Sequence, residues 1–249
     1  MIDIKAILFD KDGTLMNFHS IWSKSMSELL QILSNQYTDS NRMFEEFSKA
    51  IGFADGQIDA AGILAGGTTN DITNALNLVI TQNRPIGSPK VVNRWVSDKI
   101  NQLTRKYIHE IQATTEDLPE LLTRIKSTGI IIGIATADDY NTTMTCLEAL
   151  GIRDMFEFIV TSDRYPAQKP DPGIVLDFCK KYRIKTNQVA VIGDTLVDLT
   201  LAENANAGLS IGVLSGTSTY KDLVEKADII VPTIGNIIDE NNHFIWEKA

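Results

Sequence analysis

The stretch that most constrains this chain is Ile7 to Leu15, ILFDKDGTL. Its largely apolar approach, Ile4 to Phe9, reads as a strand buried in a sheet. It ends in two acids one residue apart, Asp10 and Asp12, followed by Gly13-Thr14. In an open α/β sheet, ligands bind outside the carboxyl ends of the strands. Acids two apart on extended chain point the same way, and a turn at Gly13 lets both reach one substrate from different sides. That pairing suits one carboxylate as nucleophile and the other as proton donor.

Beyond Leu15 the strand pattern stops. Ile21, Trp22, Met26, Leu29, Leu30 and Leu33 recur at helical spacing, predicting a helix from Ser20 to about Ser34. Met43, Phe44 and Phe47 predict a second over Asn41 to Ile51. Gly52 to Gly67 reads as short helix and loop. Thr69-Asn70-Asp71 caps a helix to about Thr81, and Ser88-Pro89 opens a long one to about Tyr107. Residues 16 to 111 therefore read as an all-helical insertion.

After Gln112 strands and helices alternate. A helix carrying Leu118, Leu121, Leu122 and Ile125 stops at Gly129. The run Ile130 to Thr136, IIIGIAT, is apolar throughout, as a parallel strand covered on both faces must be. A helix then ends at Gly151. Further strands are expected at Phe158–Val160, Val189–Ile192, Leu209–Leu214 and Ile229–Val231, with helices over Pro172–Tyr182 and from Thr195 to about Asn206. This alternation predicts an α/β fold with a doubly wound, Rossmann-like parallel sheet. The core comprises residues 1–15 and 112–249, and the helical insertion, 16–111, follows the first strand.

Three more strand ends carry polar groups. The second strand ends at Thr136 in GIATADD, the loop after the third carries Lys169 in AQKPDP, and the fourth ends VIGDTLVD, with Asp194 at its tip and Asp198 four residues on. A helix starting near Thr195 puts both acids on one face, one turn apart. His109 and His243 fit no motif. Cys146 and Cys179 fall in helical patterns, with no His or Cys at metal-ligand spacing, and read as buried apolar residues of a reducing compartment.

The order and spacing of DxDGT, Thr, Lys-Pro and GDxxxD resemble the four motifs of the haloacid dehalogenase superfamily, in its aspartate-nucleophile phosphatase branch and nearest its phosphoglycolate phosphatase group. The tail, GDTLVDLTLAENANAG through ADIIVPTI, resembles the same family. The resemblance implies that Asp10 attacks phosphorus to form an aspartyl-phosphate and that Asp12 protonates the leaving group and then activates water. It implies Mg²⁺ held by Asp10, the Asp12 carbonyl and Asp194, with Asp198 direct or through water. Lys169 and Thr136 would hold phosphoryl oxygens, with backbone N–H groups near Lys11, Asp12 and Ala137. It also identifies the insertion as a helical cap that reads the rest of the substrate. Candidates there are His19, Trp22 and the Gly66-Gly67-Thr68-Thr69 loop. The Lys11 side chain is expected to be solvated, or else to assist with substrate.

A net charge of −9 argues against nucleic-acid or anionic-membrane partners. It also leaves a phosphate facing several acids, which calls for a metal as well as Lys169. The N-terminus lacks the basic start and long apolar core of a signal peptide, and no apolar run approaches a membrane span, so the expectation is cytoplasmic. The predicted activity is Mg²⁺-dependent hydrolysis of a small phosphorylated metabolite, by a monomer or homodimer. The alternatives are a β-phosphoglucomutase-like phosphotransferase and a non-catalytic regulatory protein that binds a phosphometabolite. A dehalogenase and a phosphonate hydrolase are disfavoured by the second acid, Asp12.

Overall fold

The computed structural model describes residues 3–54 and 56–247. The domain bounds given above also take in Met1, Ile2, Lys248 and Ala249, and the Gly52–Gly67 segment takes in Asp55; these five lie outside the described residues. In chain order the elements begin with β1 (Ala6–Phe9) and α1 (Phe18–Ser34). They continue through α2 (Ser40–Ile51), β2 (Phe53–Ala54), β3 (Gln57–Ile58), α3 (Ile63–Gly66), α4 (Thr69–Asn83) and α5 (Pro89–Tyr107). Next come α6 (Leu118–Ser127), β4 (Ile131–Ala135), α7 (Tyr140–Ala149), β5 (Ile159–Val160) and α8 (Gly173–Tyr182). The chain closes with β6 (Val189–Gly193), α9 (Leu196–Asn204), β7 (Leu209–Val213), α10 (Tyr220–Leu223) and β8 (Ile229–Val231).

Six parallel strands form one sheet in the order β5-β4-β1-β6-β7-β8. Alternation along each strand fills both faces. Ile7 and Phe9 pack with Ile132, Ile134, Ile192 and the α6 residues Leu121 and Leu122. Ala6 and Leu8 face the other way, against Val191, Val175 and Phe178. The chain leaves β1 for β4 on one side and returns to β6 on the other. The crevice at the carboxyl end of β1 is therefore the sheet's switch point, the place where such folds bind ligands.

The helices between β1 and β4 bury a core of their own. Met26, Leu29 and Leu30 of α1 pack with Phe47, Leu76, Ile80, Val96 and Ile100. Where the chain enters and leaves this block it runs side by side. Asn17 N–H donates to Gln112 O at 2.8 Å and Thr114 N–H to Leu15 O at 3.1 Å.

Local chemistry moves several expected boundaries. Asn17 accepts from His19 N–H and starts α1 at Phe18, two residues before the expected start at Ser20. Thr68, one residue before the expected cap, forms a reciprocal box with Asp71 and opens α4. The helical block is not all-helical. Residues 53–58 hold a two-stranded antiparallel hairpin turned at Gly56, whose φ of 75° suits glycine. Strands of two residues are too short to show alternation. Cys146 and Cys179 are free thiols, and burial pushes the Cys146 thiol up to about 12. Among the described residues no helix is long and apolar enough to cross a membrane.

Candidate active site

Parallel pairing brings the strand tips together. Phe9 lies between Ile134 and Ile192, so Asp10, Thr136 and Asp194 leave the sheet from three neighbouring strands. Lys169 joins them from the loop before α8. Its Nζ lies 2.6 Å from Asp10 Oδ1 and 2.6 Å from Asp198 Oδ1. Asp198 is fixed as the third residue of α9: its Oδ2 accepts from Thr195 N–H at 3.1 Å and from Thr195 Oγ1 at 2.7 Å. The helix starts at Leu196, with Thr195 as its cap.

Asp194 Oδ2 accepts from Thr217 N–H at 2.8 Å. Its other oxygen, Oδ1, is buried and has no hydrogen-bond partner among the described residues. A buried carboxylate oxygen in that state is costly unless something positive meets it. Asp10, Asp194 and Asp198 each offer an oxygen within 4.8 Å of the others. This all-oxygen donor set fits a hard divalent cation. Close approach is made possible by Gly13, at φ 79°, where a Cβ would lie 2.6 Å from the Asp194 carboxyl group.

The charges are strongly perturbed. Burial raises the Asp10 carboxyl to about 7; Lys169 opposes this, while Asp198 and Asp12 add to it. Burial, then repulsion from Asp10 and Asp198, pushes Asp194 well above the usual carboxylate range. Burial also works against the Lys169 charge, but Asp10 and Asp198 outweigh it and hold its pKa above the ordinary lysine value. Perturbed groups concentrated in one cleft mark a candidate site of chemistry.

Lys11 departs from expectation. Its side chain is not solvated but fully buried, with Nζ 2.6 Å from Asp12 Oδ2 and 3.0 Å from Asp138 Oδ2. The cause is Asp138, which enters from the loop after β4 and gives the ammonium a second carboxylate. The Lys11 side chain thus underlies the acid Asp12 and does not line the pocket.

A narrow cavity of about 30 Å³ lies over these groups, between the sheet and the helical block. Asp10, Asp12, Thr136, Ala137, Lys169, Asp194 and Asp198 all line it. Trp22 does too, and its Nε1 donates to Asp12 Oδ1 at 2.7 Å. His19 does not: it is exposed on the first turn of α1, with Nδ1 3.1 Å from Ser23 Oγ. Thr68 lines an adjoining hollow that also touches Thr136, Ala137 and Lys169. Thr69 Oγ1 points to Asp139 at 3.5 Å.

Sequence reasoning passed over Asp138, Phe18, Ile72, Val197 and Thr217. The consecutive acids after Thr136 were a visible signal for Asp138. The apolar wall residues carry no motif.

A family model described as haloacid dehalogenase-like hydrolase matches residues 4–206. The chain is 24% identical over 243 residues to the phosphoglycolate phosphatase of Vibrio cholerae, covering 96% of this chain and 97% of that one. A predicted phosphoglycolate phosphatase from Haemophilus somnus superposes with a TM-score of 0.74 at 20% identity, covering 95% of this chain and 97% of the other. A β-phosphoglucomutase from Clostridium difficile superposes at 0.66 with 21% identity, covering 98% and 96%. At such identities the superpositions establish the shared fold alone.

Proposed function

This chain belongs to the haloacid dehalogenase-like hydrolase family, and from that premise we propose that it is a Mg²⁺-dependent phosphomonoesterase acting on a small phosphorylated metabolite. One observation carries the reading. The Asp10 carboxylate stands at the tip of the central strand, ion-paired to Lys169 and within 4.8 Å of carboxylate oxygens from Asp194 and Asp198. The helical block acts as a cap that closes over the phosphoryl site.

In the first step an Asp10 oxygen attacks phosphorus, a phosphorus–oxygen bond to Asp10 forms, and the ester bond breaks. Asp12 gives a proton to the departing alkoxide, which leaves as the alcohol. In the second step Asp12 takes a proton from water. That water's oxygen attacks phosphorus, the bond to Asp10 breaks, and inorganic phosphate leaves with both acids restored. Lys169 and the Thr136 hydroxyl hold the phosphoryl oxygens, with backbone N–H groups near Lys11, Asp12 and Ala137.

Asp10, Asp194 and the Asp12 carbonyl would hold the cation, with Asp198 beside them. When bound, Mg²⁺ supplies the positive charge that offsets repulsion between a phosphate dianion and these carboxylates. Two like charges about 4 Å apart repel by roughly 4 kcal/mol at an effective dielectric of 20, and one lysine does not cancel several such terms. The free thiols accord with a reducing, cytoplasmic setting.

The test is phosphate release from an aryl phosphate with Mg²⁺ and with excess chelator. The reading expects release with the metal, loss in chelator and recovery on adding Mg²⁺ back. Full activity in chelator contradicts it.

A further inference from the structure

The phosphoryl end of the cavity and its other walls differ in chemistry. Five carboxylates, those of Asp10, Asp12, Asp138, Asp194 and Asp198, line the cavity, and Lys169 is the one cation among its lining residues. Lys169 is held at the phosphoryl end by Asp10 and Asp198. The remaining walls are Phe18 and Trp22 of α1, Leu64 and Ala65 of α3, Ile72 of α4 and Val197 of α9. The one polar hydrogen on those side chains, Trp22 Nε1–H, is already given to Asp12. Gly66 and Gly67 also line the cavity, but their N–H groups donate to Gly62 O and Ile63 O. Apart from Thr136 and Lys169 at the phosphoryl end, no described residue lining the cavity offers an uncommitted side-chain donor or a cation to the part of a substrate that lies beyond its phosphate.

We propose that the leaving group of the substrate is an uncharged alcohol, and that phosphoesters whose leaving group carries a carboxylate are rejected. The inference rests on the phosphomonoesterase reading above. A carboxylate on the leaving group would enter an apolar wall unpaired, where a charge is costly. This separates the chain from what the names of its phosphoglycolate phosphatase relatives would suggest, since glycolate carries just such a carboxylate.

The experiment compares kcat/KM, with Mg²⁺, for 2-phosphoglycolate, its uncharged amide and ethyl phosphate. The first two have nearly the same shape and differ by one negative charge. The proposal expects the amide to exceed the acid by about tenfold or more, with ethyl phosphate also ahead of the acid. Equal or better turnover of phosphoglycolate overturns the inference while leaving the phosphomonoesterase reading intact. No release from any of the three, nor from the aryl phosphate, overturns both.

Discussion

Trp22 Nε1 donates a 2.7 Å hydrogen bond to Asp12 Oδ1, tying the first helix of the inserted block to the carboxylate that follows the central strand. With Lys11 on the other oxygen, Asp12 is held from both sides. A hydrogen bond to a charged acceptor is worth roughly 1.5–3 kcal/mol. Trp22→Phe keeps an aromatic ring and removes the donor. It is expected to lower kcat about tenfold on an alkyl phosphate, and less on p-nitrophenyl phosphate, whose leaving group needs little protonation. Equal losses on both substrates would show that Trp22 does not act through Asp12.

Lys11→Met is expected to unfold the protein more readily. Lys11 is fully buried between Asp12 and Asp138, and removing it leaves two carboxylates facing each other without a cation. Breaking a buried pair in this way costs about 3–5 kcal/mol. A denaturant titration reads this as a lower midpoint at unchanged slope. An unshifted midpoint would contradict it.

Stability and metal response should both depend on pH. Asp10 is raised to about 7, chiefly by burial, and Asp194 moves the same way. An acid whose pKa is higher folded than unfolded keeps its proton in the folded state after the unfolded state has lost it. Its contribution to stability is full below the unfolded value, about 4, and is lost as pH rises through the folded value near 7. Metal binding needs the ionised carboxylates, so it strengthens over the same interval. The rise in Tm on adding Mg²⁺ is therefore expected to be small at pH 5 and larger at pH 8. A shift independent of pH would count against these carboxylates as the ligands.

Asp194→Asn should separate stability from function. It removes a buried charge that Asp10 and Asp198 repel and keeps an oxygen to meet the Thr217 N–H. The metal-free variant is expected to melt at or above the parent, to lose the Mg²⁺-induced shift, and to turn over by at least about a thousandfold less, as functional sites trade stability for activity. Retention of the Mg²⁺ shift would remove Asp194 from the ligand set.

Much of this was legible in the sequence because the sheet is parallel and deeply buried. Apolar runs such as Ile7–Phe9 and Ile130–Ala135 end abruptly at the polar residues that matter, so Asp10, Thr136 and Asp194 are marked by where the greasy stretch stops. Lys169 was legible only through its motif, since nothing local says that a loop lysine will reach Asp10. Lys11 was misread for the same reason: its burial depends on Asp138, a residue distant in sequence that the fold brings beside it. The hairpin at 53–58 escaped because its strands are too short for periodicity. Phe18, Ile72 and Val197 look like ordinary core residues until the helical block is set over the sheet. His19 stood close to the motif in sequence, but Asn17 starts the helix in a phase that leaves it facing solvent.

The most direct measurement of the central claim is phosphate release by Asp10→Asn against the parent, with Mg²⁺ present and folding checked by circular dichroism. The account predicts a folded variant with no turnover above background, because no carboxylate remains at residue 10 to attack phosphorus. Substantial phosphate release by the folded variant would contradict the account and remove Asp10 as the nucleophile.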